Sequence, residues 1–111
     1  MTAVVLGVAV AVVFGAVGTT KLLALPPMPD VARRLGFTVA AYRRIGLLEL
    51  CGALGVLVGL RLPWLGLLAA LGLVLLLAGG MFFHLKVGDG ATHLLVPAGT
   101  GLLVVGYALA L

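Results

Sequence analysis

Apolar positions in this chain neither alternate nor confine themselves to one helical face; they run on. Four stretches are almost continuously hydrophobic: Thr2 to about Leu25, about Thr38 to Leu60 with its apolar part beginning at Ile45, Pro63 to about His84, and His93 to Leu111. Each approaches the roughly 20 residues that a helix needs to cross a bilayer. Backbone polar groups inside lipid must find partners within their own segment, and four strands could not close a barrel. Sustained period-two alternation is also missing. The expected architecture is therefore all-α: an integral membrane four-helix bundle of up-down topology, one domain over residues 1–111.

Polar punctuation adds one element. Pro26, Pro27 and Pro29 end the first helix, because proline lacks an amide donor and clashes with the preceding turn. Asp30 can then cap a short helix, VARRLG, with Val31 and Leu35 on one side and Arg33 and Arg34 on the other, and Thr38 can cap the next helix. An amphipathic segment of this kind is expected to lie at the headgroups between helices 1 and 2.

Composition sharpens the picture. The chain is 64% hydrophobic and 9% charged, with mean hydropathy +1.38. A soluble domain of this size has no interior large enough to hide that much apolar surface. The 17 glycines fall in helical register with other small residues. Gly7, Ala11 and Gly15 share a face of helix 1, Gly52, Gly55 and Gly59 mark helix 2, and Gly66, Ala69, Ala70, Gly72, Gly79 and Gly80 mark helix 3. Small residues let helix backbones approach closely in a membrane. The start, MTAVVLGVAVAVVF, has no lysine or arginine, so it reads as a retained helix and not as a cleaved signal.

The net charge of +4 is carried largely by the loops, with Arg33, Arg34, Arg43 and Arg44 between helices 1 and 2 and Lys86 between helices 3 and 4. Positive loops stay in the cytoplasm, which puts both termini outside. Either attraction to anionic lipid accounts for the arginines or some of them help close the mouth of a pocket, and no nucleic-acid partner is implied.

Three ionisable residues lie within the spans. Lys21 stands about one turn before the prolines. Glu49 follows Arg44 by a little more than one turn, roughly 7 Å along helix 2 at about 1.5 Å per residue. His84 ends helix 3. Helices 1 and 3 arrive at this side of the bundle and helix 2 leaves from it, so all three residues fall at similar depth. Each also lies three or four positions from a glycine, at Gly18, Gly52 and Gly80, and so on the small-residue face of its helix. Glu49 is expected to pair with Lys21, His84 or both. Each residue has a plainer reading: Lys21 snorkelling to the headgroups, His84 terminating its helix, and Glu49 bridging Lys21 for structure alone. An intramembrane acid nevertheless marks a functional site by default.

The stretches GTTKL (18–22), RLGF (34–37), YRRIGLLELCGALGVLVGL (42–60) and LPWLGLLAALGLVLLLAGGMFFHLKVGDG (62–90) give the chain its resemblance to the DoxX-like family of small four-helix bacterial membrane proteins. Helix 4 is generic. The resemblance implies a functional lysine, glutamate and histidine at Lys21, Glu49 and His84, and a bacterial cytoplasmic membrane. It also implies an association with quinone-linked oxidation or with oxidative-stress assemblies, so a protein partner in the membrane or cytoplasm, or a second copy of the chain.

What is missing narrows the chemistry. Cys51 is the single cysteine, which excludes a thiol relay within one chain, and it reads as a small packing residue. The spacing of Glu49, His84 and His93 does not announce a metal site, and none is expected. Phosphate-binding loops and haem motifs are also missing from the sequence. Two function classes remain. In the first, a binding or accessory subunit holds a lipophilic small molecule, such as a quinone, among Lys21, Glu49, His84, Tyr42, Arg44 and His93, with Lys21 and His84 donating to a carbonyl. In the second, a cofactor-independent enzyme isomerises, cyclises or opens an epoxide on an apolar substrate, with Glu49 as general acid or base and His84 and Lys21 assisting. Trp64, at the opposite end, reads as an interfacial anchor.

Overall fold

Continuous apolar sequence folds as helix wherever it runs. The computed structural model describes residues 1–90 and 92–111, and in it five helices succeed one another: α1 (Thr2–Leu22), α2 (Met28–Leu35), α3 (Val39–Val58), α4 (Pro63–Lys86) and α5 (Thr92–Ala110). Among the described residues there is no strand. Pro63 opens α4, where its missing amide costs nothing. Pro97 lies within α5, close enough to the helix start that only the first turn loses a bond.

Three helices are long and apolar enough to cross a membrane: Thr2–Leu22, Pro63–Lys86 and the His93–Ala110 part of α5. They are hydrophobic on every side, and large residues such as Val12, Leu75 and Leu102 stand exposed on the outside, as expected where the surroundings are as apolar as the core. Helix α3 is of similar length but carries Arg43, Arg44 and Glu49 and does not meet that measure. It packs against α1 and α4, and α5 closes against the same two helices.

Glycines set how closely these helices meet. A side chain on Gly46 would place its Cβ 2.6 Å from the Gly18 carbonyl oxygen, so α1 and α3 cross backbone to backbone there. Gly59 and Gly66 bring α3 and α4 together in the same way at the opposite end, where the Tyr107 hydroxyl lies. Gly15 and Gly72 have open space beside them, so the expected stripe on helix 1 makes its close approaches at Gly7 and Gly18, with Ala11 packed against the core between them. Val10, Phe14, Val56, Leu73, Val104 and Tyr107 form the core. Tyr107 is fully buried and donates its hydroxyl to the Val56 carbonyl at 2.6 Å.

Helix ends differ from the sequence expectation in an instructive way. Helix α1 stops at Leu22, three residues before Leu25. Ala24 turns into the left-handed region at φ 52°, the Ala24 amide donates to the Lys21 carbonyl, and the Leu25 amide reaches back to Thr20. This is a Schellman closure. The same closure ends α2 at Gly36 and α4 at Gly88, both with positive φ. Helix α2 begins at Met28 with Pro27 at its N-cap, so Asp30 is not the cap expected of it. It sits instead in the first turn, paired with Arg33 and favoured by the helix dipole. The Thr38 cap forms as expected, its hydroxyl accepting from the Ala41 amide at 3.0 Å. Ala32 and Leu35 turn inward while Arg33 and Arg34 face out, and α2 thereby seats on Tyr42, Phe37, Ile45 and Phe83.

Candidate functional site

The last turn of α1, the second turn and beyond of α3, and the last turn of α4 meet at one end of the molecule. Lys21 reaches across the Gly18–Gly46 crossing, where the missing side chains leave its ammonium within range of α3. Its Nζ donates to Glu49 Oε1 at 2.6 Å and stands 4.9 Å from the centre of the Tyr42 ring. The pair is withdrawn from the surface: the side chains are 14% and 5% exposed. The second carboxylate oxygen, Oε2, is buried and has no hydrogen-bond partner among the described residues.

Beside this pair lies a cavity of about 390 Å³, within the roughly 300–1,000 Å³ of small-molecule sites. Phe14, Val17, Phe37, Ile45, Leu76 and Phe83 supply apolar wall, and Gly79 contributes room because nothing lies within 4 Å of where its Cβ would be. Lys21, Tyr42, Glu49, His84 and Thr100 supply the polar atoms. The Thr100 hydroxyl is already spent on the Val96 carbonyl at 2.8 Å. Gly80 and Val96 line the cavity and are also exposed, so it opens to the molecular surface.

The structure thus brings Lys21, Glu49, His84 and Tyr42 around one space. Two other sequence candidates fall elsewhere. Arg44 is exposed and off the cavity wall, because it is one residue out of register with Tyr42 and Ile45 on α3. His93 is exposed too, and stacks on His84 with ring centres 5.6 Å apart. Trp64 is 61% exposed at the other end of α4.

His84 does not pair with Glu49. Its Nδ1 meets Asp89 Oδ2, and Arg34 holds Oδ1 of the same carboxylate. The turn at Gly88 explains this: the Asp89 amide bonds back to the His84 carbonyl at 2.9 Å, which folds the aspartate over the imidazole. The hydrogen bond with His84 holds the Asp89 carboxyl below the usual aspartate range; partial burial opposes this and Arg34 reinforces it. Donor atoms of His84, Asp89 and His93 lie within 4.8 Å of one another. The two histidines therefore do converge, with Asp89 and not Glu49 as the third member, and the Arg34 guanidinium on that carboxylate opposes a cation there.

Sequence reasoning overlooked Asp89 and Arg34, which lie 55 residues apart. It also overlooked Arg43, whose Nε donates to the Leu22 carbonyl at 2.8 Å and so caps α1 from α3. Only Asp89 carried a signal, as an acid placed directly after a helix-stopping glycine.

Comparisons with curated proteins and with solved structures give no match. The sequence profile of the DoxX-like family, by contrast, matches residues 5–107. That range contains Lys21, Glu49 and His84 together with nearly all of the helical chain, and with three helices able to span a bilayer it makes this protein a membrane protein of the DoxX-like family.

Proposed function

We propose that the protein binds a lipophilic small molecule in the cavity between its helices and acts as a binding or accessory subunit in the membrane. The observation that carries this reading is the cavity itself: apolar for most of its wall, open to the surface, and floored by a buried Lys21–Glu49 pair. A bundle that needed the pair only for cohesion would gain from packing side chains around it, since empty volume sacrifices dispersion and solvation energy. Gly79 leaves that volume open. On this reading α3 is a fourth span, its charged residues sheltered by α1 and α4 or held at the headgroups. The helices then run up and down, with α2 at the interface and the side that carries Arg33, Arg34 and Lys86 in the cytoplasm, opposite Arg61. A quinone is one candidate ligand, its carbonyl accepting from Lys21.

A second reading, cofactor-independent acid–base catalysis on an apolar substrate, draws support from the unpaired Glu49 Oε2. Its weaker member is His84, already committed to Asp89.

Native mass spectrometry of protein extracted from its own membranes tests the binding reading. Wild type should carry a lipophile that Gly79→Phe, which fills the cavity, releases. Equal retention by both proteins would overturn it.

A further inference from the structure

Resting on that binding site, we infer that its ligand bears a neutral hydroxyl headgroup, as an alcohol or a phenol does, and that this hydroxyl docks on Glu49 Oε2 and Lys21. Glu49 is the one residue whose buried side-chain oxygen lacks a partner among the described residues. Its side chain is 5% exposed and lines the cavity. A carboxylate paired with an ammonium is an acceptor only. Leaving one of its oxygens bare in an apolar enclosure carries the full cost of desolvation, so a ligand that brings a donor gains what the fold leaves unmet.

Neighbouring groups do not meet the need: the Tyr42 hydroxyl, though on the cavity wall, makes no hydrogen bond to Glu49. Thr100 donates to Val96, and His84 is turned to Asp89. Lys21 is committed to Oε1, but an ammonium has three donors and so retains protons for a ligand atom. The headgroup that suits this floor both donates, to Oε2, and accepts, from Nζ. A hydroxyl does both with one atom. A carbonyl or ether only accepts, and leaves Oε2 bare. An alkylammonium only donates, and sets a second positive charge beside Lys21. This floor therefore favours hydroxyl compounds over the quinone-type carbonyls that Lys21 alone would suit.

Three probes with one tail provide the test: 4-nonylphenol, its methyl ether 4-nonylanisole, and 4-nonylbenzylamine, each at the same mole fraction in dodecylmaltoside micelles with the full-length protein. Occupancy is read by native mass spectrometry. The phenol should bind on the order of 10- to 100-fold more tightly than the ether, the value of a hydrogen bond to a charged group. The advantage should vanish in Lys21→Met/Glu49→Gln, which removes both charges and so leaves neither unpaired. Its circular dichroism should match that of the wild type, showing that the helices persist. Equal binding of phenol and ether, both displaced by Gly79→Phe, would overturn the hydroxyl assignment and leave the binding site standing; a trapped water satisfying Oε2 gives this result. Tightest binding of the amine would overturn it in favour of a cation site. Failure of all three probes, with no lipophile retained from native membranes, would remove the binding reading itself.

Discussion

Glu49→Gln separates the structural part of the buried pair from any other role. The change keeps the shape of the side chain and removes its charge. Lys21, 14% exposed, would then keep a positive charge with no anion beside it. At 2.6 Å and an effective dielectric constant of about 20, the attraction lost is about 6 kcal/mol before solvation is counted. Breaking one side of a buried pair costs roughly 3–5 kcal/mol in practice. The Tyr42 ring face near Nζ offers about 0.5–2 kcal/mol in partial compensation, so the lower end, about 3 kcal/mol, is expected. That is a loss of roughly 150-fold in the folding equilibrium. The measurement is an SDS titration of the protein in dodecylmaltoside, followed by circular dichroism. Lys21→Met added to Glu49→Gln removes the stranded charge and should restore most of the loss, because replacing both members of a buried pair by neutral groups of similar volume is close to neutral. A change of less than about 0.5 kcal/mol in the single variant, or a double variant as unstable as the single, would refute the buried-pair reasoning and mean that Glu49 reaches water.

Four further outcomes follow from the fold. Ala24→Gly should stabilise the protein by about 0.5–1 kcal/mol in the same titration, since it relieves a left-handed alanine in a closure that uses glycine at Gly36 and Gly88; destabilisation would contradict it. Gly46→Ala should cost about 1–3 kcal/mol by prising α1 from α3, while Gly15→Ala, with open space around it, should cost nothing. Because the Asp89 carboxyl is held below its usual range by His84 and Arg34, the stabilisation it lends is complete above pH about 4 and is lost as pH falls through the lowered value. Carboxyl chemical shifts should show that low titration, and should show it moving up in Arg34→Ala. In a Cys51→Ser background, Arg33→Cys, at an exposed position, should resist an impermeant thiol reagent applied from outside intact cells; labelling from outside would reverse the proposed orientation.

Much of this architecture was legible because lipid imposes a simple rule. Uninterrupted apolar sequence must be helix, and its length is fixed by the bilayer, so the positions of α1, α4 and α5 follow to within a few residues, while the start of α3 follows from its Thr38 cap. The convergence of Lys21, Glu49 and His84 on one cavity was legible for a related reason: with short connections, residues near the same helix ends must lie near one another. What the sequence could not reveal depended on rotation and on turns. Arg44 lies next to Arg43 in sequence, yet one caps α1 and contributes to the fold while the other faces out, a difference of about 100° that only the packing angle decides.

His84 illustrates the same limit more sharply. Its depth was readable from the sequence, but its partner was chosen by a backbone turn. Gly88 adopts a positive φ, the Asp89 amide returns to the His84 carbonyl, and the aspartate side chain arrives on the imidazole as a consequence. Once Asp89 has taken His84, Glu49 is left with Lys21 alone, and a single ammonium in this geometry meets only one of its two oxygens. Gly88→Ala should cost about 0.5–1 kcal/mol in the SDS titration and leave the closure intact, because Ala24 already holds the same closure with a side chain in the left-handed region; a much larger loss would contradict it.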